Sequence, residues 1–356
     1  MTIKNIQALR ALAANGVVLS HLYVTELKYG HGFVILPVTT QLATCGVDLF
    51  FVISGFIMAI VAYDVSWRRF LFDRTTRIFP PYWFYTTVIL IVSILFPSIV
   101  NSSYPHPPSL LRSYLLIPDT VTPLLAVGWT LIHEMYFYLC FALIIFLTSI
   151  FRFRLPLWLF IWAALIVVSN SLAQAYEIST PIIAVITHPL TLEFIMGAVV
   201  GCIIRREITD FGVPVMAAGI VGLIAVFLLS DKPDIVNIRN LQNVILLGIP
   251  CALIVYGAVA IELNNVVTAP NLLIALGNAS YSTYLSHVLV LSAIGRVFAA
   301  IPQHNIYLET VFVIVCIASA NIAGLLSYRF IERRPQAWLR KLWVPKKFRS
   351  FSAQTN

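Results

Sequence analysis

Gly128-Trp129-Thr130-Leu131-Ile132-His133-Glu134 opens an apolar run that continues to about Ile150. A stretch of that length and composition reads as a helix crossing a bilayer, and Glu134 places a carboxylate inside it. Ionisable groups in hydrocarbon are costly, so each one is by default a clue to function. Arg10, His21, Asp48, Glu193 and His287 also fall within hydrophobic segments. Together they outline a polar site buried in a membrane bundle.

Composition supports the same class. The 356 residues are 60% hydrophobic and 11% charged, with a mean hydropathy of +0.90. A soluble domain needs more charge than this to cover its surface. The net charge of +8 resides in short loops and the tail, which argues against a nucleic-acid partner. Cys45, Cys140, Cys202, Cys251 and Cys316 lie scattered in apolar stretches without metal-ligand spacing, so they read as small buried hydrophobes, with no metal site or disulfide framework. No cleavable signal peptide is evident at the N-terminus.

The fold expected is an all-α polytopic membrane protein with about ten transmembrane helices. They fall near 6–24, 43–63, 78–100, 125–150, 155–172, 181–204, 212–230, 243–262, 272–299 and 307–331. With both termini cytoplasmic, the inner side holds Lys4, Arg68, Arg69, Arg74, Arg77, Arg152, Arg154, Arg205, Arg206 and the tail from Arg329 to Arg349. The outer side then holds only Lys28, Arg112, Lys232, Arg239 and Arg296. The domain division expected is a transmembrane domain over 1–335 and a basic cytoplasmic tail over 336–356, suited to anionic lipid or serving only to set topology. The outer loop near 101–124, rich in Pro and Ser, is either a cap or a plain connector.

Spacing arranges the polar residues. Arg10 and His21 are eleven residues apart, almost three helical turns, so both face one way about 16 Å apart. Arg10 falls near the inner surface and His21 in the outer half. Asp48, where the second helix returns from outside, is expected at the depth of His21. There it orients the imidazole, or it simply sits at a helix N-terminus favoured by the dipole. Glu193 reads as a bundle hydrogen-bonder and Glu309 as an outer-interface residue. The three-residue spacing of Arg74 and Arg77 suits a phosphate clamp, although positive-inside charge also accounts for basic residues there.

Taken in order, these segments resemble the acyltransferase-3 family of integral membrane acyltransferases. The resemblance rests on Arg10…His21, on Gly46-Val47-Asp48-Leu49-Phe50-Phe51-Val52-Ile53-Ser54-Gly55-Phe56, on Arg74-Thr75-Thr76-Arg77 and on Trp129 to Glu134. It extends to Ala279-Ser280-Tyr281-Ser282-Thr283-Tyr284-Leu285-Ser286-His287 and to Phe330-Ile331-Glu332-Arg333. A second arginine, Arg334, separates the usual Glu-Arg pair from Pro335. Within the family the chain is most similar to bacterial exopolysaccharide O-acetylases. That resemblance implies a bacterial inner-membrane enzyme, acetyl-CoA as acyl donor, and a polysaccharide or lipid-linked glycan hydroxyl as acceptor. Under it His21, Asp48, Glu134 and Arg10 are the expected catalytic residues. Arg74 and Arg77 hold the donor, and Trp129, Tyr284 and His287 bind the acceptor. Buried His, Asp and Glu also suit the proton relay of a transporter, so a proton-coupled exporter of a small solute is the alternative from the residues alone.

Overall fold

The computed structural model describes residues 3–30, 32, 34–35, 37–63, 65–97, 107–151, 154–229, 241–302 and 305–342. Arg152, Lys232, Arg239, the stretch 98–106 and the tail beyond Leu342 lie outside the described residues. Among the described residues every regular element is helical. The bundle is built from α1 (Lys4–Tyr29), α2 (Pro37–Ala62), α3 (Trp67–Leu95), α4 (Leu110–Leu115), α5 (Gly128–Phe151), α6 (Leu155–Ala175) and α7 (Pro181–Ile186). It continues with α8 (Leu190–Ile204), α9 (Gly212–Leu229), α10 (Leu241–Leu263), α11 (Asn271–Asn278), α12 (Ser280–Ala299) and α13 (Ile306–Ser327). A π-helical turn, Tyr328–Glu332, joins α13 to α14 (Arg333–Leu342).

Eight helical stretches among the described residues are long and apolar enough to cross a membrane. The other two expected spans correspond to α9, whose apolar part Gly212–Leu228 is shorter, and to α1, which is 26 residues long but too polar. The helix expected at 78–100 begins instead at Trp67, capped by Ser66, and runs through Pro80 and Pro81. Proline lacks an N–H, so the carbonyls of Thr76 and Arg77 lose their helical donors, yet the helix continues. The expected 181–204 span is interrupted at Thr187-His188-Pro189, and 272–299 divides at Ala279. The loop near 101–124 contains α4, tied to α3 by Tyr82 Oη to Ser113 O (2.6 Å) and Trp83 Nε1 to Tyr114 O (2.9 Å). The boundary expected at 335/336 falls inside α14, which leans on α3 through an Arg340–Asp73 ion pair of 3.3 Å.

α1 has no side chain of its own to cap its start. Its first amides, Lys4 N and Asn5 N, donate to the Glu262 carboxylate at the end of α10, at 2.8 and 2.6 Å. At its other end Glu26 accepts from Val34 N and Ile35 N (2.8 and 3.0 Å), so its buried carboxylate is spent on the following loop. Asn15 of α1 and Asn321 of α13 exchange amide hydrogen bonds within the bundle (3.2 and 2.7 Å). A helix too polar for lipid is thus held by polar contacts.

Elsewhere close packing joins the helices. α2 and α8 cross at Gly55 and Gly197, where a Cβ on either would come within 1.8 Å of a backbone oxygen of the other helix. Lipid tails offer no hydrophobic drive for association, so such approaches of small residues carry the helix contacts. Beside the crossing, Phe51, Phe137, Phe141, Trp162 and Phe194 form an aromatic core between α2, α5, α6 and α8.

Gly197→Ala is expected to destabilise the purified protein by about 1–3 kcal/mol of overpacking, beyond any gain from helix propensity. Gly222→Ala on α9 meets only a Pro250 ring carbon at 3.3 Å and should be near neutral. Thermal melts in detergent compare the two. Equal melting temperatures would contradict the tight crossing.

Candidate functional site

A cavity of about 90 Å³ opens where α1, α2, α3, α5 and α12 converge. α1 contributes Arg10 and α3 contributes Arg74 and Arg77. Thr130, Glu134 and Tyr138 come from one face of α5, and Tyr281 and Tyr284 from one face of α12. The i, i+4, i+8 spacing on α5 and the i, i+3 spacing on α12 put these side chains on common faces.

The three guanidinium groups make a single hydrogen bond among the described residues, Arg10 Nη1 to Gln7 Oε1 at 3.0 Å. Arg74 Nε is buried with no hydrogen-bond partner, and the Arg74 guanidinium lies 5.7 Å from the centre of the Phe70 ring. A guanidinium carries five donors in a fixed fork, so most of this donor capacity is left for a ligand. Opposing charge comes from two carboxylates. Glu134 accepts from Tyr138 Oη and, at 3.3 Å, from Ser54 Oγ. Glu332, on the π-helical turn, accepts from Ser282 Oγ at 2.7 Å and acts electrostatically on both Arg77 and Arg10. Sequence reasoning had matched the segment around Glu332 but gave that residue no role. Its signal was a carboxylate beside arginines at the end of a helix.

His21 and His287 meet outside this cavity, their rings edge to face with centroids 4.9 Å apart. His21 is exposed and His287 is fully buried. His21 Nδ1 lies 3.0 Å from Val17 O, and His287 Nδ1 lies 3.2 Å from Thr283 O. A carbonyl oxygen can only accept, so Nδ1 carries the proton in each ring and Nε2 holds the lone pair of the neutral imidazole. His287 Nε2 has no hydrogen-bond partner. Tyr284 links the two regions: it lines the cavity and packs on His287 with centroids 5.8 Å apart. Its hydroxyl is engaged within the bundle, with Val127 O at 2.9 Å and Thr130 Oγ1 at 2.7 Å.

One expected partnership, that of Asp48 with His21, is absent among the described residues. Asp48 is buried but makes no hydrogen bond or ion pair with His21. It lies in electrostatic contact with Glu193 of α8, and Asp48 Oδ1 and both Glu193 carboxylate oxygens lack hydrogen-bond partners. The cause is helical phase. Gly46 faces Ala13 and Val17 of α1, and two residues later the side chain has turned through about 200°. Glu193 thus meets Asp48 across the contact between α2 and α8. Trp129 lies on a different face of α5 from Glu134 and stacks edge-on against His133 (6.0 Å), which meets His188 (4.6 Å). Five residues turn a helix by about 140°, whereas Thr130, four before Glu134, shares its face. Glu309, expected at an interface, is fully buried.

Comparison with known proteins agrees with this architecture. A family model described as an acyltransferase domain matches residues 3–329. The exopolysaccharide production protein ExoZ of Rhizobium meliloti (strain 1021) is 31% identical over 326 residues, covering 86% of this chain and 91% of that protein. No solved structure matches. With its match running through every helix that builds the cavity, the chain belongs to the acyltransferase-3 family.

Proposed function

We propose that the protein moves an acetyl group from cytoplasmic acetyl-CoA to a hydroxyl of an exported polysaccharide or its lipid-linked precursor, at the bacterial inner membrane. The observation that carries this reading is the arginine cavity. Three guanidinium groups with one hydrogen bond between them suit an anionic donor, and CoA supplies phosphate oxygens of matching geometry. The similarity to an exopolysaccharide production protein supports a glycan as acceptor.

In this mechanism Arg74 and Arg77 hold the donor phosphates, and the pantetheine arm carries the thioester inward along α12, past Tyr281 and Tyr284. Arg10, in the same cavity, adds a third guanidinium to neutralise the donor phosphates. His21 Nε2 accepts the proton of the acceptor hydroxyl. The hydroxyl oxygen forms the new ester bond, the C–S bond breaks, and the proton ends on the CoA thiol. The Val17 carbonyl takes the ring-orienting role expected of Asp48. Asp48 keeps a part in the site by packing α2 against α8, and Glu134 sets the charge around Arg10 and Arg74. His287 backs the His21 ring at the acceptor end, whereas Trp129 packs on His133. Transfer of label from acetyl-CoA to glycan in isolated membranes, with O-acetylation read by NMR, tests the assignment. Membranes with the protein that transfer no more label than membranes without it would refute it.

His21→Ala is expected to lower transfer by roughly 10²–10⁴-fold with normal membrane insertion. Asp48→Asn should stay within about tenfold of wild type, because Val17 O and not Asp48 holds the His21 ring; an orienting carboxylate of the Ser-His-Asp kind would cost about 10⁴. Turnover at saturating substrate decides. A loss for Asp48→Asn as large as that for His21→Ala would restore Asp48 as orienter.

Arg74→Ala with Arg77→Ala should raise the donor KM by at least about tenfold, from loss of charge-assisted contacts at about 1.5–3 kcal/mol each. An unchanged donor KM with a raised acceptor KM would remove the phosphate clamp.

Orientation has its own check. Single cysteines in a background lacking the native five should label with a membrane-impermeant thiol reagent from outside at Ser20 and only from inside at Thr75. Bound CoA should protect Thr75. Labelling of Thr75 in intact cells would invert the topology.

A further inference from the structure

Glu332 is the carboxylate near the cavity that the transfer chemistry above leaves unused. It ends the π-helical turn that follows α13 and is 3% exposed. Turns of this kind widen a helix locally and recur at functional sites. The turn packs against α3, which carries Arg77, and against α12, whose Tyr281 lines the cavity. Yet none of the ion pairs among the described residues includes it. Its hydrogen bond goes to Ser282 Oγ, at 2.7 Å. The carboxylate is near enough to act on the guanidiniums but is tied to a hydroxyl on α12.

Charge bookkeeping gives this arrangement a purpose. With every group ionised, Arg10, Arg74 and Arg77 against Glu134 and the neighbouring Glu332 leave one net positive charge around the cavity. Without Glu332 there would be two. A donor with several phosphate charges would then bind more tightly, and its product, CoA, would leave more slowly. A carboxylate paired directly with Arg77 would have the opposite effect, because it would occupy the N–H groups that a phosphate needs.

We propose that Glu332 is a positioning residue of the donor site: held back by Ser282, it limits the positive charge offered to an anionic donor without filling the guanidinium donors, so that CoA can be released after transfer. This inference rests on the acyl-CoA reading above. It adds a residue whose effect on binding has a definite sign, which a merely structural role would not have.

The test is titration of the detergent-purified full chain with CoA itself, by calorimetry, for wild type, Glu332→Gln, Ser282→Ala and the double variant. Glu332→Gln should tighten CoA by about threefold or more, as expected from removing one nearby charge in a partly buried site, and should lower kcat by slowing product release. Ser282→Ala should weaken CoA by a similar factor, because the freed carboxylate turns onto Arg77. The double variant should follow Glu332→Gln. Weaker or unchanged CoA binding in Glu332→Gln overturns the proposal, and so does unchanged or tighter binding in Ser282→Ala. If Glu332→Gln does not fold, Ser282→Ala decides alone. Wild-type protein that fails to bind CoA sinks the donor reading itself, whereas wild-type binding with these signs reversed sinks only the role of Glu332.

Discussion

Three guanidinium groups brought together inside an apolar bundle have to be matched by opposing charge or by a ligand, and the architecture around the cavity follows from that requirement. Arg10 is carried by α1, and Arg74 and Arg77 by α3. The compensating carboxylates arrive from α5 as Glu134 and from the π-helical turn as Glu332, with the Phe70 ring beneath Arg74. Removing one member of such a set strands a buried charge, which costs far more than the set contributes to stability when intact. The early start of α3 belongs to the same constraint. The arginines need a rigid carrier, and a helix begun at Trp67 supplies one where a loop would not.

Much of this was legible in the sequence because apolar runs and rare charges stand out against each other. Arg10, His21 and Glu134 declared themselves by being ionisable where lipid is expected, and the arginine pair by its three-residue spacing. What stayed hidden has specific causes. The early start of α3 is hidden because Arg68, Arg69, Asp73, Arg74 and Arg77 interrupt the apolar run by which a span is read. Asp48 and His21 share a depth, but depth does not fix the direction a side chain faces, and the Gly46 contact with α1 turns Asp48 toward Glu193. Trp129 was assigned by its motif, whereas its phase on α5 differs from that of Glu134. The Glu262 cap joins residues more than 250 positions apart in the chain, beyond any local pattern.

The arginines and the histidines form two polar regions rather than one. Along α1 they are separated by about 16 Å, and along α12 they are connected by Tyr281, Tyr284 and His287, which recur every third residue. For the proposed acyl transfer this separates the anion-binding end from the proton-accepting end, and a long flexible donor is the kind of molecule that can reach both. Each imidazole is fixed by a carbonyl four residues earlier on its own helix. The orientation of both rings is therefore set by helix geometry and needs no partner from another element.

The capping of α1 bears on how the protein is made. α1 is made before α10, α12 and α13, carries Arg10, Asn15 and His21, and is too polar to be at ease in lipid alone. Its partners come late: Glu262 for its first amides, His287 for His21 and Asn321 for Asn15. Synthesis must run through most of the chain before those groups exist. α1 therefore waits, at the membrane surface or sheltered by the insertion machinery, until α10, α12 and α13 arrive, and is locked in place only after helices made later than itself.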